Sequence, residues 1–365
     1  MRCRLLYVVG QLGPGGLERQ LYYLLQAMDR DRYNPEVVVW SFRSDETYVR
    51  PLQELGVMLH SFPKNSSATS KLKWFRQIVL QIRPEVIHSY TFYTNFAAWF
   101  AAQEIATIPI GSFRSDFDYE KKGSGLFLGC LSGRWPRNQI CNSYVAAARI
   151  SQSRRLFVPK AIWVVRNGID LQTFQQVTLP NSAPTVILAI GSLLPVKRWD
   201  RLLVLAAALK ARGVDFIMRI AGDGPLRQSL ERQAREYNLV SKVQFLGHSD
   251  DIPSLLRDAH FLVHASDTEG CPNAVIEAMA CSRAVVAMDV GEIRLLVEDL
   301  YTGFVVPPGD GQIFADRVMQ LITDSELCRR MGEAGRAKVE REFGLDRLIT
   351  ETLEVYSAAG WKSEE

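Results

Sequence analysis

The chain has 365 residues, enough for two domains of ordinary size, and its 47% hydrophobic and 23% charged residues are typical of a globular protein. No apolar run approaches the roughly 18 residues of a membrane span, and the stretch at 5–9 is too short for a signal-peptide core, so we expect a cytoplasmic protein. The net charge of +3 is unevenly distributed, because residues 1–170 hold 22 Lys and Arg against 13 Asp and Glu. This basic half favours an anionic partner. No nucleic-acid-binding motif accompanies the basic residues, so nucleic acid is not the expected partner.

Short apolar runs alternate with helical patterns along the whole chain. Strands are predicted at 5–9, 36–40, 57–61, 86–88, 108–113, 139–142 and 162–165, and then at 186–190, 216–221, 243–245, 261–265, 284–288 and 304–306. Strands that are apolar throughout and alternate with helices indicate parallel sheets covered on both faces. A polar, proline-containing stretch at 170–184 separates the halves. The expected fold is α/β, with two doubly wound, Rossmann-like domains facing each other across a cleft.

The turn after the first predicted strand is rich in glycine, and includes Gly15 and Gly16. Such a turn allows a ligand to approach the backbone, and the helix predicted at 17–28 offers its N-terminus to a phosphate or a sugar. The pattern is neither a dinucleotide fingerprint nor a P-loop. From these residues alone, a structural turn is as good an interpretation as a binding loop.

An amphipathic pattern follows at 71–83, where Leu72, Phe75, Val79 and Ile82 recur at helical spacing beside basic residues. A helix of this kind can dock on an anionic membrane. The same pattern is typical of a helix that packs on a sheet, and the sequence leaves both interpretations open.

Two turns of the second half also lie at predicted strand ends. Lys197 and Arg198 follow a glycine turn and precede a helix, where a cation favours a diphosphate. For Lys197 phosphate binding is the preferred interpretation, whereas for Arg198 a solvated surface role is equally favoured. Gly222 and Gly224 provide a sharp exit from the next strand, with a structural turn as their first role and a wall of the site as their second.

The most informative segment is 269–280, in which Glu269-Gly270-Cys271-Pro272-Asn273 leads into an Ala-rich stretch that carries Glu277. Proline suits the first turn of a helix, and the free N–H groups of that turn form an anion site. Two carboxylates beside such a helix start suit a ligand with both hydroxyls and phosphates, such as a sugar nucleotide.

Five motifs occur in order: Gly15-Gly16-Leu17-Glu18-Arg19, Asn167-Gly168-Ile169-Asp170, Gly191 with Lys197, Gly222-Asp223-Gly224-Pro225, and Glu269-Gly270 with Glu277-Ala278-Met279-Ala280. In this the chain resembles glycosyltransferase family 4, the retaining enzymes of GT-B fold that use nucleotide sugars. The resemblance implies an acceptor-binding domain at 1–168, a donor-binding domain at 169–344, and a final helix at 345–360 that packs back on the first domain.

The resemblance also implies roles for individual residues. Glu277 would bind the donor ribose, Glu269 would contact the donor sugar near its reacting carbon, and Lys197 would neutralise the leaving diphosphate. Gly16 would lie where the loop meets donor or acceptor. No metal and no cofactor are expected, because Lys197, a neighbouring cation and the helix N-terminus replace Mg²⁺ at the leaving group.

The chain departs from the family pattern at two positions. Ser192 stands where many relatives have an arginine that binds the diphosphate, so Arg198 or Arg114 is the candidate substitute. Relatives often carry His-x-His after the fourth strand, whereas here His88 matches the first histidine and Tyr90 replaces the second. Either residue is a candidate for facing the acceptor, and His88 is equally consistent with a core role.

The sequence therefore predicts a retaining glycosyltransferase that moves a sugar from a UDP- or GDP-linked donor to a glycan or lipid-linked acceptor in cell-surface polysaccharide or glycolipid synthesis. A non-catalytic sugar-nucleotide-binding subunit and a sugar-nucleotide 2-epimerase are the alternatives. Expected partners are the donor, the acceptor and, through the basic first half, the inner face of a membrane. The six cysteines are expected to be reduced thiols.

Overall fold

The computed structural model describes residues 2–114, 117–151 and 156–362. The chain forms two compact units. Unit 1 consists of residues 1–168 together with 345–365, and unit 2 consists of residues 169–344. The thirteen predicted strands each coincide with an observed strand to within three residues at either end, and the predicted fold class of parallel α/β sheets is confirmed.

The part of unit 1 that precedes residue 168 alternates strands and helices. Its strands are β1 Cys3–Val9, β2 Tyr33–Val39, β3 Met58–Ser61, β4 Val86–Ser89, β5 Ile108–Phe113, β6 Asn138–Cys141 and β7 Ala161–Val164. Its helices are α1 Gly16–Gln26, α2 Val49–Glu54, α3 Ala68–Ile82, α4 Asn95–Ala101, α5 Phe117–Gly123, α6 Leu126–Arg134 and α7 Tyr144–Ser151. The strands are parallel and follow the order β3-β2-β1-β4-β5-β6-β7.

Unit 2 repeats this alternation. Its strands are β8 Thr185–Ile190, β9 Phe216–Ala221, β10 Val243–Gly247, β11 Phe261–His264, β12 Ala284–Met288 and β13 Gly303–Val306. Its helices are α8 Trp199–Ala211, α9 Arg227–Glu236, α10 Ile252–Asp258, α11 Asn273–Ala280, α12 Ile293–Leu296, α13 Gly311–Thr323 and α14 Ser325–Glu342. These strands are also parallel, in the order β10-β9-β8-β11-β12-β13.

The chain returns to unit 1 through its last helix, α15 Leu345–Ala358. Leu348, Val355 and Tyr356 of this helix are buried in the same hydrophobic cluster as Tyr7 of β1. The helix therefore completes the core of unit 1 on one face of its sheet.

Both faces of the central strands are buried, which explains why the sequences of these strands are apolar at successive positions. In β1, Leu5, Tyr7 and Val9 face one hydrophobic cluster, while Leu6 and Val8 face another. Because successive side chains of a strand point to opposite faces, a strand covered on both sides needs apolar residues at every position.

The apolar stripe of α3 packs on the sheet of unit 1. Phe75 and Val79 are fully buried in the cluster that contains Leu6 and Val8 of β1, and Leu72 and Ile82 pack against it. Of the two interpretations of this helix, the structure shows the packed one. Its apolar face is not available to a membrane.

None of the helices in the described residues combines the length and the apolar composition of a membrane span. The six cysteines, all of which lie within the described ranges, form no disulfide.

Candidate active site

In unit 2, Lys197 lies in the loop that follows β8. A short 3-10 turn, Pro195–Lys197, ends at Arg198, which has a left-handed backbone with φ of 51° and precedes the first residue of α8. The loop thus places two consecutive cations between the carboxyl end of a central strand and the start of a helix. Ligands of parallel α/β sheets bind at this edge.

The side chains of Lys197 and Glu269 meet in the structure. The Lys197 Nζ donates to Glu269 Oε1 at 2.6 Å, and the Nε2 of His264 donates to the same oxygen at 3.0 Å. The side chains of Glu269 and His264 are only 10% and 5% exposed. Burial alone would raise the pKa of Glu269, but the hydrogen bonds and charges of His264 and Lys197 outweigh it and hold that pKa well below its usual range. Glu269 is therefore ionised and fixed in place.

His264 is the residue of this cluster that sequence reasoning missed. It is the last residue of β11, five positions before Glu269, and the predicted strand 261–265 already contained it. A polar residue at the carboxyl end of an otherwise apolar central strand was the available signal.

A helix follows Glu269 and carries Glu277, as the sequence predicts, but its start differs by a residue from the predicted one. α11 begins at Asn273, so Pro272 occupies the N-cap position rather than the first turn. Glu277 is 3% exposed and Cys271 is 6% exposed, and the latter belongs to a hydrophobic cluster. The prediction that Glu277 contacts a ribose stays a prediction.

Gly291, in the turn after β12, holds the backbone of Glu269 and Gly270. Its φ is 55°, and a Cβ at this position would collide with the Glu269 carbonyl oxygen. The next residue, Glu292, donates its backbone N–H to the Gly270 carbonyl at 3.1 Å. Only glycine fits this close approach of two chain segments.

Arg198 is engaged by two carboxylates. It contacts Asp200 through Nε at 3.0 Å and Nη2 at 2.8 Å, and Asp267 through Nη1 at 3.0 Å. Asp267 also pairs with Arg201 at 2.7 Å. These contacts raise the pKa of Arg198 further above its usual value. Arg198 is therefore already paired with carboxylates in the structure, and its substitution for the diphosphate-binding arginine that Ser192, an exposed residue, does not provide stays a prediction.

Gly222 and Gly224 bring the β9 turn against the β8 turn. A Cβ on Gly222 would collide with the Gly191 carbonyl oxygen, and a Cβ on Gly224 would lie 2.9 Å from the backbone of Leu193. Backbone hydrogen bonds join the two turns, from Gly191 to Ala221 at 3.0 Å and from Leu193 to Asp223 at 2.9 Å. These contacts give both glycines a structural role, which supports the first of the two predicted interpretations.

In unit 1, His88 is 1% exposed within β4. Its Nδ1 lies 2.7 Å from the Tyr356 hydroxyl and its Nε2 lies 2.8 Å from Ser112 Oγ, so both ring nitrogens are engaged inside the unit. Burial and the charge of Arg114 lower its pKa well below the usual range, so the ring is neutral. These contacts favour the core role for His88, and a catalytic role stays a prediction.

The remaining predicted residues of unit 1 cluster near the ends of its strands. Tyr90 is 1% exposed, and the centroid of its ring lies 4.3 Å from the Cζ of Arg114, the first residue after β5. Asn167 is buried, and its Oδ1 accepts from Asn142 Nδ2 at 3.3 Å. Gly15 is the N-cap of α1 and Gly16 its first residue.

The first turn of α1 carries a buried carboxyl group that packs against the glycine turn before the helix. Glu18 is 7% exposed, and a Cβ on Gly15 would collide with its carboxyl oxygen. Burial raises the pKa of Glu18 to about 7, and the charge of Glu46 adds to the rise, while hydrogen bonds from its own backbone and from Gln11 oppose it. The start of α1 thus holds an acid whose pKa lies near neutral pH.

Within the described ranges, no three His, Cys, Asp or Glu side chains are grouped so that they could hold a metal ion. The cluster in unit 2 instead joins one fixed anion to one cation. Such a pair can stabilise charges of both signs in a ligand, a developing positive charge at Glu269 and a negative leaving group at Lys197.

Two family models match the chain over adjoining ranges. The model described as Glycosyltransferase Family 4 matches residues 14–173, and the model described as Glycosyl transferases group 1 matches residues 170–338. Between them the two matches include all the site residues discussed for both units.

Individual relatives agree with these models. The chain is 30% identical over 171 residues to an uncharacterized glycosyltransferase of Methanocaldococcus jannaschii, a match that spans 46% of this chain and 47% of that protein. It is 25% identical over 360 residues to the gpi3 subunit of the phosphatidylinositol N-acetylglucosaminyltransferase of Schizosaccharomyces pombe, spanning 94% of this chain and 78% of that one. Among solved structures, Anabaena HepE in complex with UDP-glucose superposes with a TM-score of 0.82 at 20% identity, over 97% of this chain and 99% of that one. The fold is thus GT-B.

Proposed function

We propose that this chain, which belongs to glycosyltransferase family 4, transfers a sugar from a UDP- or GDP-linked donor to a glycan or lipid-linked acceptor, with retention at the anomeric carbon. The contact of Lys197, His264 and Glu269 is the observation that carries the proposal. Anabaena HepE was solved with UDP-glucose, which supports a nucleotide-sugar donor. The gpi3 subunit bears the name of a phosphatidylinositol-modifying enzyme, which supports a lipid-linked acceptor.

In the proposed reaction Lys197 neutralises the leaving diphosphate. The bond from the anomeric carbon to the diphosphate oxygen breaks, and the acceptor hydroxyl oxygen bonds to the same face of that carbon. The acceptor proton passes to the leaving diphosphate. The ionised Glu269 stabilises the positive charge that develops on the sugar ring, and its anionic form at neutral pH is what this role requires.

Glu277 on α11 binds the donor ribose in this scheme, and the first turn of α11 faces the phosphates. No metal ion and no cofactor take part, because Lys197 and the helix start supply the positive charge. Arg198 pairs with two carboxylates and Lys197 with one, so Lys197 is the main cation of the loop in this proposal.

A donor screen separates this proposal from its alternatives. UDP- and GDP-sugars are added to the whole chain in a thermal-shift assay, where a bound ligand raises the unfolding temperature. Donors that bind are then followed for slow hydrolysis. We expect stabilisation by one base and release of free sugar. Binding of a donor without hydrolysis or transfer would favour the non-catalytic subunit, and release of an altered donor would favour the epimerase.

We propose in addition that unit 1 contacts an anionic membrane surface, through a face other than α3. Exposed aromatic and aliphatic side chains lie on α5, on α6 and after α7, and they include Tyr119, Phe127 and Leu156, exposed by 75%, 78% and 78%. Lys121 lies among them, with its Nζ 5.6 Å from the centroid of the Phe157 ring. Between residues 117 and 160 the sequence holds eight Lys and Arg against two Asp and Glu. Exposed apolar groups with basic neighbours suit an anionic bilayer interface.

Liposome flotation tests this contact. The whole chain should float with vesicles that contain phosphatidylserine and not with pure phosphatidylcholine, and Phe127→Ser should weaken flotation. The matched control is Met58→Ser, a change at another exposed apolar residue of unit 1, 60% exposed. Equal failure to float with both vesicles would exclude the contact.

A further inference from the structure

Arg114 lies at the carboxyl end of β5, and its guanidinium forms no ion pair with an acidic side chain in the part of the chain that the structure describes. Its Nε and Nη1 are buried without a hydrogen-bond partner. Its backbone N–H donates to Glu120 Oε1 at 2.9 Å, but among the described residues no ion pair joins its guanidinium to a carboxylate. Arg201 of unit 2 contrasts with it, since that arginine pairs with Asp267 at 2.7 Å.

Three aromatic side chains around the Arg114 guanidinium are neutral. The Tyr90 ring lies under the guanidinium, with 4.3 Å from its centroid to Cζ. Burial raises the pKa of Tyr90 and that of Tyr356, and burial together with the Arg114 charge lowers the pKa of His88. At neutral pH none of these three side chains supplies a negative charge. The contact with the ring offsets only part of the loss of hydration.

The position of Arg114 is that of a ligand-binding residue. β4 and β5 are neighbours in the sheet, and Tyr90 and Arg114 follow their carboxyl ends. Ligands of parallel α/β sheets bind beyond those ends. A buried charged donor without a partner is unfavourable, so a site of this kind is completed by an anion from outside the protein.

We propose that Arg114 forms an anion subsite for the acceptor, and that the acceptor carries a phosphate or a carboxylate group. The inference rests on the proposed function, together with the acceptor-binding role that the family resemblance implies for residues 1–168. It replaces the earlier candidate role of Arg114 as a substitute for the donor diphosphate arginine. The Tyr90 ring holds the plane of the guanidinium while the anion binds at its polar edge.

Anion titration with an occupied donor site tests the subsite. The whole chain is saturated with UDP or GDP, whichever binds, so that the nucleotide occupies the phosphate site at Lys197. Inorganic phosphate or malonate is then titrated by calorimetry at constant ionic strength. We expect Arg114→Met to weaken binding at least tenfold, about 1.4 kcal/mol. The control Arg137→Met, at an exposed arginine of the same unit, should leave it unchanged.

The two probes distinguish the sources of the anion. Binding of phosphate alone indicates a phosphorylated acceptor, and binding of malonate alone indicates a carboxylate-bearing one. Should Arg114→Met fail to fold by circular dichroism, Arg114→Gln takes its place. The subsite proposal is overturned, while the proposed function stands, if the unaltered chain binds nucleotide but neither probe. It is also overturned if the Arg114 variant binds the probes as tightly as the unaltered chain does. Failure to bind any nucleotide counts against the proposed function instead.

Discussion

Glu18 in the first turn of α1 in unit 1 and Glu269 in a loop of unit 2 are both buried acids that follow a strand end, yet their charges differ. Burial raises the pKa of Glu18 to about 7, whereas the pKa of Glu269 lies well below its usual range despite burial. Glu18 has the neutral Gln11 and the acidic Glu46 beside it. Glu269 has His264 and Lys197 within 3.0 Å.

The difference teaches that the partners of a buried acid, and not its burial, decide its charge. Desolvation acts in the same direction on both groups; the backbone N–H and the Gln11 amide that donate to Glu18 do not outweigh it, whereas His264 and the Lys197 cation do so at Glu269. Unit 2 thereby keeps a permanent anion beside a cation. Unit 1 keeps a group that is about half protonated near neutral pH. Four experiments can break or sharpen this contrast.

The largest effect is expected from Lys197→Met, which removes the cation of the pair. Donor turnover should fall about 10²- to 10³-fold, the loss typical of removing one charge-stabilising donor from an active site. The variant also removes one of the two groups that keep Glu269 ionised, so Glu269 should become more like Glu18. Steady-state rates of donor hydrolysis measure the loss.

Lys210→Met is the matched control, because Lys210 is an exposed lysine of unit 2 whose Nζ contacts only the Asn238 carbonyl in the described structure. If Lys197→Met hydrolyses donor as fast as this control, the role of Lys197 is refuted.

Glu18→Gln should change how stability depends on pH. The folded-state pKa of about 7 exceeds the unfolded value, so between these two values the folded chain binds more protons and its free energy of unfolding falls as pH rises. The total fall is at most about 3 to 4 kcal/mol, because each pKa unit between 4.5 and about 7 corresponds to 1.36 kcal/mol. The glutamine variant should lack it. Urea unfolding at pH 5 and pH 8 measures the difference, with Glu54→Gln, at an exposed acid of unit 1, as the control. An unchanged pH dependence in Glu18→Gln would contradict the raised pKa.

Gly291→Ala tests whether backbone packing holds Glu269. Alanine at a φ of 55° costs about 1–2 kcal/mol, and its Cβ would also collide with the Glu269 carbonyl oxygen. Gly309→Ala is the control, since Gly309 has a φ of 81° and open space around its Cβ position. We expect both variants to lose thermal stability, Gly291→Ala more, and only Gly291→Ala to lose activity. Equal losses in the two variants would assign no role to the packing.

The smallest effect is expected at His264, which positions Glu269. His264→Ala should lower kcat about tenfold, the loss of one hydrogen bond to a charged group, with a smaller change in KM for the donor. His264→Gln should recover most of the rate, because its side-chain amide can donate to the same oxygen. His248→Ala, at a histidine whose side chain is 49% exposed, is the control. A glutamine variant no better than the alanine variant would mean that the hydrogen bond does not matter.

The sequence predicted the sheets well because each strand carries its own signal. Residues 108–113, 216–221 and 284–288 were predicted with the bounds that the structure shows. Strands buried on both faces must be apolar throughout, and such runs can be recognised without knowledge of the fold. The fold class followed from their alternation with helices.

The site was predicted only where a motif carried it. Lys197 and Glu269 were both chosen as candidates, but their direct contact depends on which strands are neighbours in the sheet. β8 pairs with β9, which follows it in the chain, and also with β11, which does not. His264 was missed for the same reason. Arg198 was left open, because no local pattern shows that Asp200 and Asp267 both hold it. Local patterns identify residue types, whereas their pairing is decided by topology.

The return of α15 to unit 1 has a consequence for protein synthesis. Unit 2 is one continuous stretch, so its core can close as soon as residue 344 has left the ribosome. Unit 1 contains β1, which is made before every strand of unit 2, yet its core still lacks Tyr356 at that moment, and Trp361, which donates to Glu85 at 3.1 Å, comes later still. Unit 1 is therefore begun before unit 2 and completed after it, so we expect its nascent sheet to need protection from aggregation for longer than that of unit 2.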